Sequence, residues 1–207
     1  MHPNPVYHDA EKARNLAFAA ERGFGTLAVS SDGVPLLSHV PFLIDAGGAS
    51  ADLHLVRSNP IARLDESRVP ARIAVSGPDS YVSPDWYEAE DQVPTWNYIA
   101  VQLTGTLERL PADRMRDMLD KQSAGYETRL LPKTPWTTDK MTPDALDRMM
   151  RAIVPYRFHI EDIDGTWKLG QNKPDAVRRA AADRMAEHGF GSEAGVLARM
   201  MRDLDHR

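Results

Sequence analysis

Arg57 stands where an anion could be held. It ends the stretch His54-Leu55-Val56-Arg57 and is followed by Ser58-Asn59-Pro60. Asn is a favoured helix cap, and Pro suits the first helical position. A helix start has free backbone N–H groups, and a cation beside them completes an anion site. The same residues also read as a solvated arginine beside a capping asparagine, because surface charge is the ordinary case. A second set comes late in the chain. Lys168, Gln171, Asn172 and Lys173 put two cations and two amides within six residues. An amide both donates and accepts, which suits the uracil-like edge of a planar ring; a polar turn with a capping residue is the alternative. A third set lies between Ser80 and Leu110. Tyr81-Val82-Ser83-Pro84-Asp85-Trp86-Tyr87 and Val93-Pro94-Thr95-Trp96-Asn97-Tyr98 flank an acidic loop. Polar-tipped rings prefer sites with one apolar and one hydrogen-bonding side. Trp96 and Asn97 could supply a ring wall and an amide; Trp96 as a core residue is the other reading.

Other chemistry is excluded. Gly23-Phe24-Gly25-Thr26-Leu27-Ala28 has dinucleotide-loop spacing, but that loop must follow a strand and open a helix. Here the pattern follows a helix and opens a strand. No GxxxxGK[ST] loop occurs. The seven histidines are scattered without HExxH, so no metal site is expected. Ser38 and His39 are neighbours on a strand and point to opposite faces, which is poor geometry for a nucleophile and its base. There is no cysteine, hence no disulfide and no thiolate chemistry. A net charge of -5 argues against nucleic acid unless the cations cluster. No apolar run is long enough to span a bilayer, and the N-terminus lacks a signal-peptide layout; a cytoplasmic protein is expected.

These residues need a scaffold, and strand alternation supplies it. Short strands are expected at 26–30, 35–44, 52–57, 71–76, 101–108 and 156–163, joined by turns such as Ser31-Asp32-Gly33. Asp9 is expected to cap a first helix that ends near Arg22 at Gly23. Asn59-Pro60 opens a short helix buried by Ile61 and Leu64. Pro111 opens another, with Met115, Met118, Leu119 and Gln122 on one side. A further helix starts at Thr142-Pro143-Asp144, with Leu146, Met149, Met150 and Ile153 at helical spacing. Consecutive short strands without regular helix alternation predict an α+β fold. Its centre would be a six-stranded antiparallel barrel with flanking helices. Residues 1–172 would form that domain, and 173–207 a C-terminal helical extension of it. The extension has seven basic and six acidic residues from Lys173 on. That is no basic patch for a helix-turn-helix. Leu197, Met200, Met201 and Leu204 make an apolar stripe suited to packing or a dimer contact.

Five ordered motifs together carry a resemblance. They are Ser38-His39-Val40-Pro41, His54 to Pro60, Tyr81 to Tyr87, Val93 to Tyr98, and Trp167-Lys168-Leu169-Gly170-Gln171-Asn172. The chain resembles the PaiB-type FMN-binding negative transcriptional regulator family of the FMN-binding split-barrel superfamily, from Met1 to about Arg184. It departs in three places. The loop Glu88 to Gln92 is short for the family, Gly170 replaces Ser, and Lys173 replaces Arg.

The resemblance implies a homodimer with FMN in a cleft between subunits. Arg57 with Ser58, next to Asn59, and Lys168 would hold the phosphate. Ser38, His39 and Val40 would line the isoalloxazine, with His54 in the same motif set. Trp96 and Asn97 would wall or hydrogen-bond the ring. Gln171 and Asn172 would come from the late turn, of either subunit. Regulatory action on DNA is implied by the family name alone. The alternatives are a flavin-dependent oxidase or reductase on a small substrate, and a haem-binding split barrel with His39 or His54 as ligand.

Overall fold

The computed structural model describes residues 2–31 and 33–204. Seven strands form one sheet: β1 (Phe24–Ser31), β2 (Val34–Pro41), β3 (Leu43–Ile44), β4 (Ser50–Val56), β5 (Arg68–Val82), β6 (Thr95–Arg109) and β7 (Ile153–Lys168). Their order is β2-β1-β5-β6-β7-β4-β3. β1 pairs antiparallel with β2 and β5, and β4 with β3 and β7. Five helices accompany them: α1 (Lys12–Arg22), α2 (Met115–Glu127), α3 (Pro143–Arg151), α4 (Asp175–His188) and α5 (Ala194–Arg202). The fold is the expected mixture of an antiparallel sheet with helices.

The chain clusters into two compact units. Residues 16–75 and 103–163 make the larger unit; residues 1–15, 76–102 and 164–207 make the terminal unit, of which residues 2–15, 76–102 and 164–204 are described. The larger unit's core is built by alternation. Leu27 and Val29, Leu53 and Leu55, Ile73 and Val75, and Leu103 and Leu107 are all buried, each pair on one face of its strand. In the terminal unit, Leu197, Ala198 and Met201 of α5 are fully buried, as are Ala181, Ala182 and Met185 of α4. Of the extension's apolar stripe, Leu197 and Met201 are internal packing, whereas Met200 and Leu204 are partly exposed.

Several boundaries differ from the sequence expectation, and three strand boundaries have a visible packing reason. The strand expected over 35–44 breaks at Phe42, which gives the seventh strand. Phe42 is buried, its N–H donates to the Gly23 carbonyl, and its own carbonyl accepts from the Tyr126 hydroxyl at 2.9 Å. β5 continues past Gly77-Pro78, because beyond it the loop between α4 and α5 takes over as partner: Asp79 N–H donates to Ser192 O at 2.9 Å. β7 runs on through Gly165, past the expected strand end at 163. A Cβ there would lie 2.1 Å from Asn15 Oδ1, so the glycine permits close packing. The turn residue Asp32 lies outside the described residues, whereas Gly33 beside it has φ 84°. α1 begins at Lys12, three residues after the expected cap Asp9, and ends as expected at Gly23, with φ 58°.

Candidate functional site

In the larger unit, β4 delivers Arg57 to the surface. Its N–H donates to Ala152 O at 2.9 Å, and its Nε donates to Arg151 O at 2.5 Å. The guanidinium is thereby oriented on a residue that is exposed to solvent. Among the described residues, it makes no ion pair with a carboxylate. The helix expected after Asn59-Pro60 is a single 3-10 turn, Ile61–Arg63. The helix-dipole part of the anion argument therefore falls away, and the cation remains. Asn59 caps that turn: its Oδ1 accepts from Ile61 N–H at 2.9 Å, and its Nδ2 donates to Ser38 Oγ at 2.9 Å. This bond ties the Arg57 turn to β2, so Ser38, Arg57, Ser58 and Asn59 are neighbours.

β2 is an edge strand with two unlike faces. Val40 is buried, whereas Leu37 and His39 are exposed. The His39 ring stacks on Phe24, with centroids 6.4 Å apart. His39 is therefore a surface residue of this strand and not part of the core. On β1 and β5, Thr26, Ala28 and Ala74 continue the uncovered face as small side chains. A flat ring can lie on such a face. His54 is partly buried, and its Nδ1 lies 3.1 Å from Gln122 Oε1. Burial lowers its pKa, with the Gln122 contact working the other way. Gln122 in turn donates to Asp52 O at 2.8 Å.

In the terminal unit, Lys168 Nζ donates to Thr95 Oγ1 at 2.5 Å and lies 5.9 Å from the Tyr7 ring centroid. Burial lowers its pKa. Gln171 is occupied by its own surroundings: its Oε1 accepts from Leu169 N–H, and its Nε2 donates to the carbonyls of Trp167 and Val6. Asn172 is exposed on the turn. Lys173 Nζ donates to Gln92 Oε1 at 2.5 Å, which fastens the late turn to the short acidic loop. Gly170 has φ 79°, a conformation that suits glycine better than the family's serine.

Trp96 and Asn97 adjoin in sequence and part in space. Trp96 is 44% exposed and meets Tyr81 and Phe190 edge-on at 6.3 and 5.7 Å, while those two rings stack at 5.6 Å. This aromatic surface can wall a ring. Asn97 is fully buried, its Nδ2 donates to Met201 Sδ at 3.4 Å, and its Oδ1 has no hydrogen-bond partner. Asn97 belongs to the packing of α5.

Two residues of structural weight escaped the sequence reading. Arg178 is wholly buried and donates to the carbonyls of Met201 and Leu204. Asn15 is buried and accepts from Trp167 Nε1 at 2.7 Å. Their only sequence signal is a polar residue on an otherwise apolar helix face.

The donor set fits FMN. An oriented arginine, a serine hydroxyl and a capped turn suit a phosphate, and a flat sheet face of small side chains suits a ring. The comparisons agree. Residues 1–162 match the family described as "Putative FMN-binding domain". The chain belongs to that family; it is an FMN-binding split-barrel protein. It is 30% identical over 202 residues to "Protease synthase and sporulation protein PAI 2" of Bacillus subtilis (strain 168), covering 96% of each chain. Its fold is similar to the FAD and heme binding protein from Mycobacterium smegmatis, with TM-score 0.58 and 17% identity over 90% of this chain and 82% of that one. It is also similar to the flavocytochrome Anf3 from Azotobacter vinelandii, with TM-score 0.51 and 12% identity over 81% of this chain and 72% of that one. Among the described residues no helix is long and apolar enough to cross a membrane, and no cluster of metal-ligating side chains occurs.

Proposed function

We propose that this chain is a cytoplasmic, FMN-dependent regulatory protein of the PaiB type that works as a homodimer. Arg57 and Ser58 hold the FMN phosphate. Ser38, His39 and Val40 form the strand along which the isoalloxazine lies, with His54 below it. Trp96, Lys168, Gln171 and Asn172 are the terminal unit's own candidates for contact with the cofactor. The observation that carries this reading is Arg57, an exposed guanidinium oriented by a carbonyl and tied through Asn59 to the strand that would bear the ring. A dimer is supported by the uncovered face of β1 and β2, where Phe24 and Leu37 are 54% and 61% exposed.

A flavin titration followed by fluorescence tests it. Arg57→Ala removes a charge-assisted contact worth about 1.5–3 kcal/mol, so FMN affinity is expected to fall about 10- to 150-fold. An unchanged affinity sinks the phosphate assignment, and a Soret band in place of a flavin spectrum sinks the cofactor. Bleaching of bound FMN by NADH would move the reading to an oxidoreductase. Saturable, salt-dependent binding of a specific DNA would support direct regulation.

A further inference from the structure

Arg57 stands between two clefts of the larger unit. One, of about 280 Å3, has Asp113 and Asp147 in its wall together with Arg116 and Arg151. Its wall therefore carries charges of both signs. The other, of about 350 Å3, is lined by Arg57, Arg109 and Ser67 over an apolar floor that includes Leu110 and Pro155. No carboxylate lines it.

Strand alternation explains this imbalance. Glu108 precedes Arg109 on β6 and so faces the other way. There it meets His159 Nε2 at 2.6 Å and Arg68 at 3.7 Å. Arg109 is left with no ion pair among the described residues. The backbone around the cleft is fixed on three sides. Arg109 N–H donates to Ser67 O at 2.8 Å, Leu110 N–H to Pro155 O at 2.9 Å, and Arg57 N–H to Ala152 O at 2.9 Å. Two guanidinium groups on rooted backbone thus share one cleft, in a chain whose net charge is -5.

We infer that Arg109 is the second cation of the phosphate site, and that the cleft takes the phosphate monoester of FMN between Arg57 and Arg109, with Ser67 Oγ as a further donor. The inference rests on the FMN reading above. A phosphate monoester carries close to two negative charges at neutral pH, which a single arginine leaves half compensated. Two planar forks can each meet two phosphate oxygens.

The test compares FMN with riboflavin, which lacks the phosphate, in the parent protein and in Arg109→Gln, Arg109→Lys and Arg57→Gln. Arg109→Gln is expected to weaken FMN about tenfold or more and leave riboflavin unchanged. Arg109→Lys keeps the charge and loses the fork, so it should fall between. Inorganic phosphate should compete with FMN and not with riboflavin. The inference is overturned if Arg109→Gln binds FMN like the parent, or loses FMN and riboflavin alike. If Arg57→Gln loses FMN selectively and Arg109→Gln does not, the second cation is wrong and the FMN site stands. If the parent binds neither flavin, the FMN reading itself fails.

Discussion

Replacing Arg178 by Met should loosen the C-terminal helices at a cost that can be worked out from three contacts. Arg178 Nε donates to Met201 O at 2.7 Å, Nη2 to Leu204 O at 2.9 Å, and Nη1 lies 2.6 Å from Asp175 Oδ1. That last contact is a charge pair without hydrogen-bond alignment. Met keeps most of the aliphatic stem, which packs beside Gly170. The substitution therefore removes the guanidinium and little else. The loss falls unequally on the partners. Asp175 is 43% exposed and can be solvated. Leu204 is partly exposed, so its carbonyl can take a water. Met201 is fully buried, and its carbonyl is left without a donor, a penalty of about 1–3 kcal/mol. Relief from burying a cation offsets some of this. The expected net loss is about 2 kcal/mol, read as a lower urea midpoint. Trypsin should then cut earlier at Arg199 and Arg202. Asp175→Asn serves as control and should lose no more than about 1 kcal/mol. An Arg178→Met protein that matches the parent in both midpoint and digestion would refute the idea that this side chain staples α5 to α4.

Two further substitutions probe the larger unit. A Cβ at Gly105 would lie 1.8 Å from the His159 carbonyl oxygen, a backbone atom that cannot swing aside, so Gly105→Ala should cost about 3 kcal/mol or more by urea unfolding. A loss below about 1 kcal/mol would show that β6 and β7 yield easily there. His54 has its pKa lowered by burial from the ordinary value of 6.5. Below that pH the unfolded chain takes a proton that the folded one resists, so stability rises with pH up to about 6.5 and falls as pH drops under it. His54→Gln should flatten that slope in paired denaturation curves at pH 5 and 7; equal slopes would remove His54 as its source.

The alternating strands were legible because each shows its buried face directly. Leu53 and Leu55 on β4 or Val101 and Leu103 on β6 can be picked out at sight, and all are buried. Glycine was harder. Gly33 at a hairpin turn and Gly165 at a close approach carry the same letter, and only the second has Asn15 against it. The break at Phe42 depends on Gly23 and Tyr126, which are distant in sequence and therefore invisible in a local window. Within the candidate site, the exposed place of Arg57 could be read from its position at a strand end. The amides could not, since whether Gln171 turns to a ligand or to the carbonyls of Trp167 and Val6 is decided by the packing of the N-terminal segment. Arg109 was hidden too, because its pairing depends on Glu108 being drawn off by partners on other strands.

The prolines that bound β2 determine how a neighbour may attach there. Pro35 sits opposite Ser30 and Pro41 opposite Phe24. A residue lacking N–H fits only where no ladder bond is exchanged, so the odd-numbered positions of β2 aim their amides away from β1. Of those positions only Leu37 and His39 retain an amide to offer. Lateral strand recruitment would thus find two usable donors along the whole border, while the broad side bearing Phe24 and Leu37 stays accessible. Copies of this chain are steered toward stacking and away from zippering into ribbons.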